Sequence, residues 1–188
     1  MNLTHLVLGG ARSGKSGFAE QVAQAAFKQS QSKQRQSVNK GPKKSSLIYL
    51  ATATAGDGEM KTRIAHHQQR RGPEWQLREE PLNLAEIVNE TSSEATILID
   101  CLTLWLSNCL HQGCWPEHRA SFLSSLKDSS ANIIMVSNEV GAGIVPMGEL
   151  SRQFVDESGW LHQQIAAIAS DVSLIVAGLE MPLKRANR

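Results

Sequence analysis

Gly9-Gly10-Ala11-Arg12-Ser13-Gly14-Lys15-Ser16 fits the phosphate-binding pattern G-x-x-x-x-G-K-S/T, and it limits what this chain can fold into more than any other stretch. The run Leu3-Thr4-His5-Leu6-Val7-Leu8 before it reads as a buried strand, and residues 17–27 after it read as a helix. A glycine-rich turn between strand and helix aims successive backbone N–H groups at one point, and the helix N-terminus adds positive potential there. Lys15 then reaches the β- and γ-phosphates of a nucleoside triphosphate, and the Ser16 hydroxyl holds Mg²⁺. The competing reading is an ordinary glycine-rich turn. The strand–turn–helix setting favours the phosphate loop, so the chain is expected to handle nucleoside triphosphates.

Strand-like runs alternate with helical patterns along the rest of the chain. That order predicts a P-loop NTPase-like (RecA-like) α/β domain with a mostly parallel central sheet flanked by helices. Residues 47–51, 96–100, 131–136 and 173–177 are expected strands, 173–177 being the last, with a shorter strand at 75–78. Helices are expected over 59–70, after Glu80-Pro81, and over 102–110, 117–126 and 149–169. Residues 28–46 are rich in Gln, Ser and Lys and contain Gly41-Pro42, so a polar surface insertion is expected there.

A length of 188 residues suits one domain spanning the whole chain. A formal net charge of +1 gives no bulk attraction for nucleic acid or a membrane surface. No apolar run approaches the ~20 residues of a membrane span. The first residues lack the basic-then-apolar profile of a secretion signal. The three cysteines show no framework spacing, which points to a reduced, cytoplasmic setting. Cys109, His111, Cys114 and His118 lie close together, yet their spacing fits none of the usual zinc patterns. Cys101 and Cys109 fall in an apolar run where cysteine acts as a small hydrophobe. Trp105, Trp115 and Trp160 are expected in the core or at a subunit interface. His5, His111, His118 and His162 show no convergent partners and receive no role.

Three constellations could carry chemistry. Asp100 closes an apolar strand and is a candidate metal-side carboxylate, with helix capping as the plain alternative. On a helix over 59–70, Glu59, Arg63, His66 and Arg70 share one polar face, while Met60, Ile64 and His67 share a more apolar one. His66 is thereby placed to meet an anionic ligand; the plain alternative is a solvated face. Ser137-Asn138-Glu139-Val140-Gly141 runs into a glycine-rich loop at a strand's carboxyl end, the edge where open α/β sheets bind ligands. Glu139 is a base or substrate contact on one reading and a turn cap on the other. Thr52-Ala53-Thr54 follows another strand at that edge, with hydroxyls that either contact nucleotide or cap the loop.

These residues resemble the bifunctional adenosylcobinamide kinase/adenosylcobinamide-phosphate guanylyltransferase family of cobalamin biosynthesis. The likeness is carried by the glycine loop, by Tyr49-Leu50-Ala51-Thr52-Ala53, and by Glu59-Met60 with Arg63-Ile64-Ala65-His66-His67. It continues through residues 136–146, then Leu150-Ser151-Arg152 and Phe154. It implies two reactions: phosphorylation of adenosylcobinamide by ATP or GTP, then GMP transfer from GTP to adenosylcobinamide-phosphate through a guanylylated histidine aligned with His66. It also implies nucleotide contacts at Gly9, Gly10, Ala11, Arg12, Ser13, Gly14, Lys15 and Ser16. Further contacts are implied at Thr52, Ala53, Thr54, His67, Gln68, Gln69, Arg70, Glu79 and Asp100, with Mg²⁺ near Ser16 and Asp100, and a homotrimer. Two features depart from the family pattern: the 28–46 insertion is long, and Asp100 stands where the family often has Glu. The rival reading is a P-loop kinase of a small metabolite using Asp100 or Glu139 without a covalent intermediate. A nucleotide-binding regulator is more distant.

Overall fold

A computed structural model describes residues 2–36, 45–53 and 72–186. The apolar runs become a single sheet in the order β3-β2-β4-β5-β1-β6-β7. Its strands are β1 (Thr4–Gly9), β2 (Leu47–Ala51), β3 (Trp75–Glu79), β4 (Thr96–Asp100), β5 (Asn132–Asn138), β6 (Asp171–Val176) and β7 (Leu179–Lys184). Neighbours are parallel except β6 and β7. The described helices are α1 (Lys15–Gln36), α2 (Leu84–Glu90), α3 (Leu102–Gln112), α4 (Trp115–Asp128) and α5 (Glu149–Ile168).

Both faces of the central strands are covered, which is why they are apolar without a break. Leu6, Ile97, Ile99, Ile133 and Met135 face a layer containing Trp105, Phe122, Leu161 and Ile165 from α3, α4 and α5. Val7, Leu98, Ile134 and Val136 face Ala19, Ala23 and Phe27 of α1. Trp105 meets Trp115 and Phe122 edge-on, with ring centroids 5.1 and 5.0 Å away. Each large side chain buried here contributes about 1.5–3 kcal/mol through water exclusion. The buried Cys101 and Cys109 sit among these residues as the apolar reading expects.

The structure corrects two expectations. The segment given to a polar insertion over 28–46 is helical as far as Gln36, because α1 does not stop at Phe27. Gln, Lys and Arg are good helix formers, so the helix continues although this stretch offers no apolar residue after Phe27. The strand after 171 is not the last, since β7 folds back antiparallel on β6 through a turn with Ala177 and Gly178 at φ 51° and 79°. Trp160 is 52% exposed on α5, outside the core that takes Trp105 and Trp115, so of its two expected places the subunit interface is the one left open. The helix expected over 59–70 lies outside the described residues. Among the described residues, no helix is long and apolar enough to cross a membrane.

Candidate nucleotide-binding site

β1 lies between β5 and β6, so the turn that leaves it at Gly9 is flanked by two strand ends. The Glu139 N–H after β5 donates to the Gly9 carbonyl at 3.1 Å, and the Gly178 N–H after β6 donates to the Ser13 carbonyl at 2.8 Å. Within the turn Ser13 N–H reaches Gly10 O, and Phe18 N–H reaches Gly14 O to open α1. Two glycines are required sterically. A Cβ at Gly9 would fall 2.5 Å from Ser13 Oγ and 2.7 Å from Ile175 O. Gly14 has φ +97°, and a Cβ there would lie 3.2 Å from Gly178 Cα. Arg12 also adopts a left-handed φ of 56°, a conformation that costs a non-glycine residue about 1–2 kcal/mol.

Lys15 lies over the turn with Nζ donating to Gly10 O at 3.0 Å. Ser13 Oγ is buried and, among the described residues, has no hydrogen-bond partner. A hydroxyl donor, a lysine and the amides at a helix start form a cradle that suits a phosphate group.

The carboxylates expected at the site share the carboxyl edge. Glu79 pairs in register with Ala51, and Ala51 with Asp100, so the three mark the ends of β3, β2 and β4. Asp100 Oδ2 accepts the Tyr49 phenol at 2.9 Å. Ser16 and Asp100 present hard oxygen donors, the chemistry Mg²⁺ takes. Cys101, the next residue, has its thiol pushed above the usual range by burial and then by the Asp100 charge, with Lys15 acting in the opposite sense.

Thr52 is placed differently from a nucleotide contact through its hydroxyl. It is fully buried; Oγ1 donates to Cys101 O at 2.7 Å and accepts Cys101 N–H at 2.9 Å. The capping alternative therefore describes this hydroxyl, which ties the end of β2 to the end of β4. Ala53 follows at the same edge. Thr54, His66, His67, Gln68, Gln69 and Arg70 lie outside the described residues.

A group without local sequence signal completes this edge. His162 of α5 is 8% exposed, and its Nε2 meets Ser137 Oγ at 2.7 Å. Its Nδ1 lies 3.9 Å from Glu139 Oε2, while Glu139 Oε1 accepts Gly141 N–H at 2.7 Å. Burial lowers the His162 pKa below 6.5, with Glu139 pulling the other way. The turn-cap reading of Glu139 is the one met: its carboxylate caps its own loop, and its amide ties that loop to the glycine turn. The only hint in the sequence was the helical period that puts His162 with the buried Leu161 and Ile165.

Comparison with known proteins agrees with this geometry. The sequence profile described as "Cobinamide kinase / cobinamide phosphate guanyltransferase" matches residues 5–183. The chain is 46% identical over 183 residues to the "Bifunctional adenosylcobalamin biosynthesis protein CobP" of Pseudomonas aeruginosa, covering 95% of this chain and 96% of that one. It is 32% identical over 196 residues to the CobU protein of the same description from Escherichia coli, covering 95% and 98%. A Salmonella typhimurium CobU is 29% identical over the same shares. With a clamped glycine turn at its centre and relatives aligned along nearly their whole length, the chain belongs to the cobinamide kinase / cobinamide phosphate guanyltransferase family.

Proposed function

We propose that this chain phosphorylates adenosylcobinamide with ATP or GTP and then transfers GMP from GTP to the resulting phosphate, with His66 as the covalent carrier. The observation that carries this reading is the clamped glycine turn, with Lys15 over it and a Ser13 hydroxyl in it that is unpartnered among the described residues, inside a chain of this family. In the first step the substrate hydroxyl attacks the γ-phosphorus, and the nucleoside diphosphate leaves. Lys15 and the turn's amides stabilise charge on the triphosphate oxygens through both steps. Mg²⁺, held by Ser16 and Asp100, would supply further charge neutralisation when bound. Tyr49 orients the Asp100 carboxylate for that task.

In the second step a neutral imidazole nitrogen of His66 attacks the α-phosphorus of GTP, and pyrophosphate leaves with the bonding pair. The phosphoramidate then yields GMP to a phosphate oxygen of adenosylcobinamide-phosphate, which forms the new P–O–P link and frees His66. Arg63 and Arg70, one helical turn either side in the sequence, disfavour protonated His66 and steer phosphate. Ala53, Thr54, His67, Gln68, Gln69, Arg70 and Glu79 serve as nucleotide contacts on this reading. The enzyme works in the cytoplasm as a homotrimer, with the exposed Leu150 and Trp160 of α5 at the subunit contact.

GTP labelled at the α-phosphate tests the route. Acid-labile, base-stable label on the wild-type protein and none on His66→Ala, with corrinoid phosphorylation retained in the variant, is the expected result. An unlabelled wild type would leave only the kinase. Label retained by His66→Ala would move the adduct to another residue.

A further inference from the structure

Residues 139–148, between β5 and α5, combine firm anchorage with unusual exposure. At one end Glu139 holds Gly9 through its amide and Gly141 through its carboxylate. At the other, the Arg152 guanidinium donates to the carbonyls of Pro146 and Met147. Between these anchors Ile144, Val145 and Met147 are 98%, 71% and 96% exposed. Residues 140–148 carry no charged side chain. Large apolar groups held out in water by a braced backbone mark a surface that takes a partner.

Position selects the partner. The Glu139–Gly9 hydrogen bond sets this segment against the turn that cradles phosphate. Phosphoryl transfer requires the acceptor hydroxyl beside the γ-phosphate, so the acceptor must lie over this same edge. The triphosphate matches the cationic turn, whereas an uncharged apolar ledge matches a broad ring system with alkylated faces and neutral amide arms.

We infer that Ile144, Val145 and Met147 form the ledge on which the corrinoid acceptor rests while its hydroxyl-bearing arm reaches the glycine turn. The inference rests on the functional reading above and adds to it the place where the acceptor is held. Glu139 and Arg152 are positioning residues that keep the ledge in place.

The test compares wild type with the double variant Ile144→Ser/Met147→Ser. Both side chains are almost fully exposed, so the substitutions leave the core untouched. The KM for adenosylcobinamide should rise at least about tenfold on loss of two apolar contacts. The KM for ATP and the sedimentation coefficient should stay unchanged. Ile144→Leu/Met147→Leu, which keeps the apolar contact, should hold the acceptor KM within about threefold of wild type. An unchanged acceptor KM in the serine variant overturns the ledge alone. A changed sedimentation coefficient also overturns it and gives the patch to a second copy of the chain. Wild-type protein that phosphorylates no corrinoid overturns the functional reading and the ledge with it, a failure visible before any variant is made.

Discussion

The two loops that meet where β1 and β5 end are neighbours built by opposite means. The glycine turn is held by main-chain bonds from Glu139 and Gly178 and by the steric demands of Gly9 and Gly14. The loop after β5 is held by side chains: Glu139 on Gly141, His162 beside Glu139, and Arg152 on the carbonyls before α5. A main-chain frame fixes amide directions, which suits a ligand common to every turnover. A side-chain frame adjusts residue by residue, which suits an acceptor peculiar to one family. The division of labour follows from what each kind of anchor can hold constant.

The largest test of that contrast removes the one charged side chain that acts in the main-chain frame. Lys15→Ala should lower both the phosphorylation and the GMP-transfer rates by at least about a hundredfold, as loss of one transition-state donor typically does. Loss of only one reaction would mean that two nucleotide sites exist. Gly14→Ala should come next. Its Cβ must form at φ +97° and crowd Gly178, a strain of about 1–3 kcal/mol. Thermal unfolding should shift down by roughly 3–10 °C, with weaker nucleotide binding; an unmoved melting curve would show the frame to be looser than its hydrogen bonds indicate.

In the side-chain frame, Glu139→Ala leaves the Gly141 N–H without its acceptor. The expected loss is about 1 kcal/mol, read as a roughly fivefold rise in acceptor KM with the nucleotide KM held. A nucleotide effect of equal size would erase the distinction between the loops. The smallest effect concerns pH. Burial lowers His162 below 6.5 in the folded state, so the unfolded chain binds the proton more readily. Stability is therefore full above about pH 6.5 and declines as pH falls towards the folded value. His162→Gln should flatten that part of the stability curve by less than about 1 kcal/mol, measured by urea unfolding at about pH 7 and pH 5. Glu139 faces the ring and opposes the effect of burial without reversing it, while Ser137 bonds to Nε2.

The same contrast explains what could be read before any coordinates. The glycine turn is legible because its requirements are local: Gly9 answers to contacts within the turn and beside it, and Gly14 to a positive φ and a contact. β1, β2, β4 and β5 were legible because burial on both faces leaves an unbroken apolar run. β7 is not legible, because all six of its residues are exposed and it is held mainly by pairing with β6, so no period marks it. The end of α1 is not legible either, because a stretch without apolar residues predicts a loop, whereas intrinsic propensity carries the helix to Gln36. Thr52 looked like a ligand contact from its position at the strand end, but the sequence does not show that its hydroxyl turns inward to Cys101. The Glu139–His162 contact joins a loop to the far end of a helix, and no local pattern reports it.

The hydrogen bond from Gly178 to Ser13 has a consequence for how the protein is made. A segment that leaves the ribosome early is completed by one that leaves late, and β1 itself waits for both of its neighbours in the sheet. A nascent chain holding the whole glycine motif would still lack the hairpin that seats it. The turn therefore takes its finished form only after residue 178 has been made and the sheet has closed around its oldest strand.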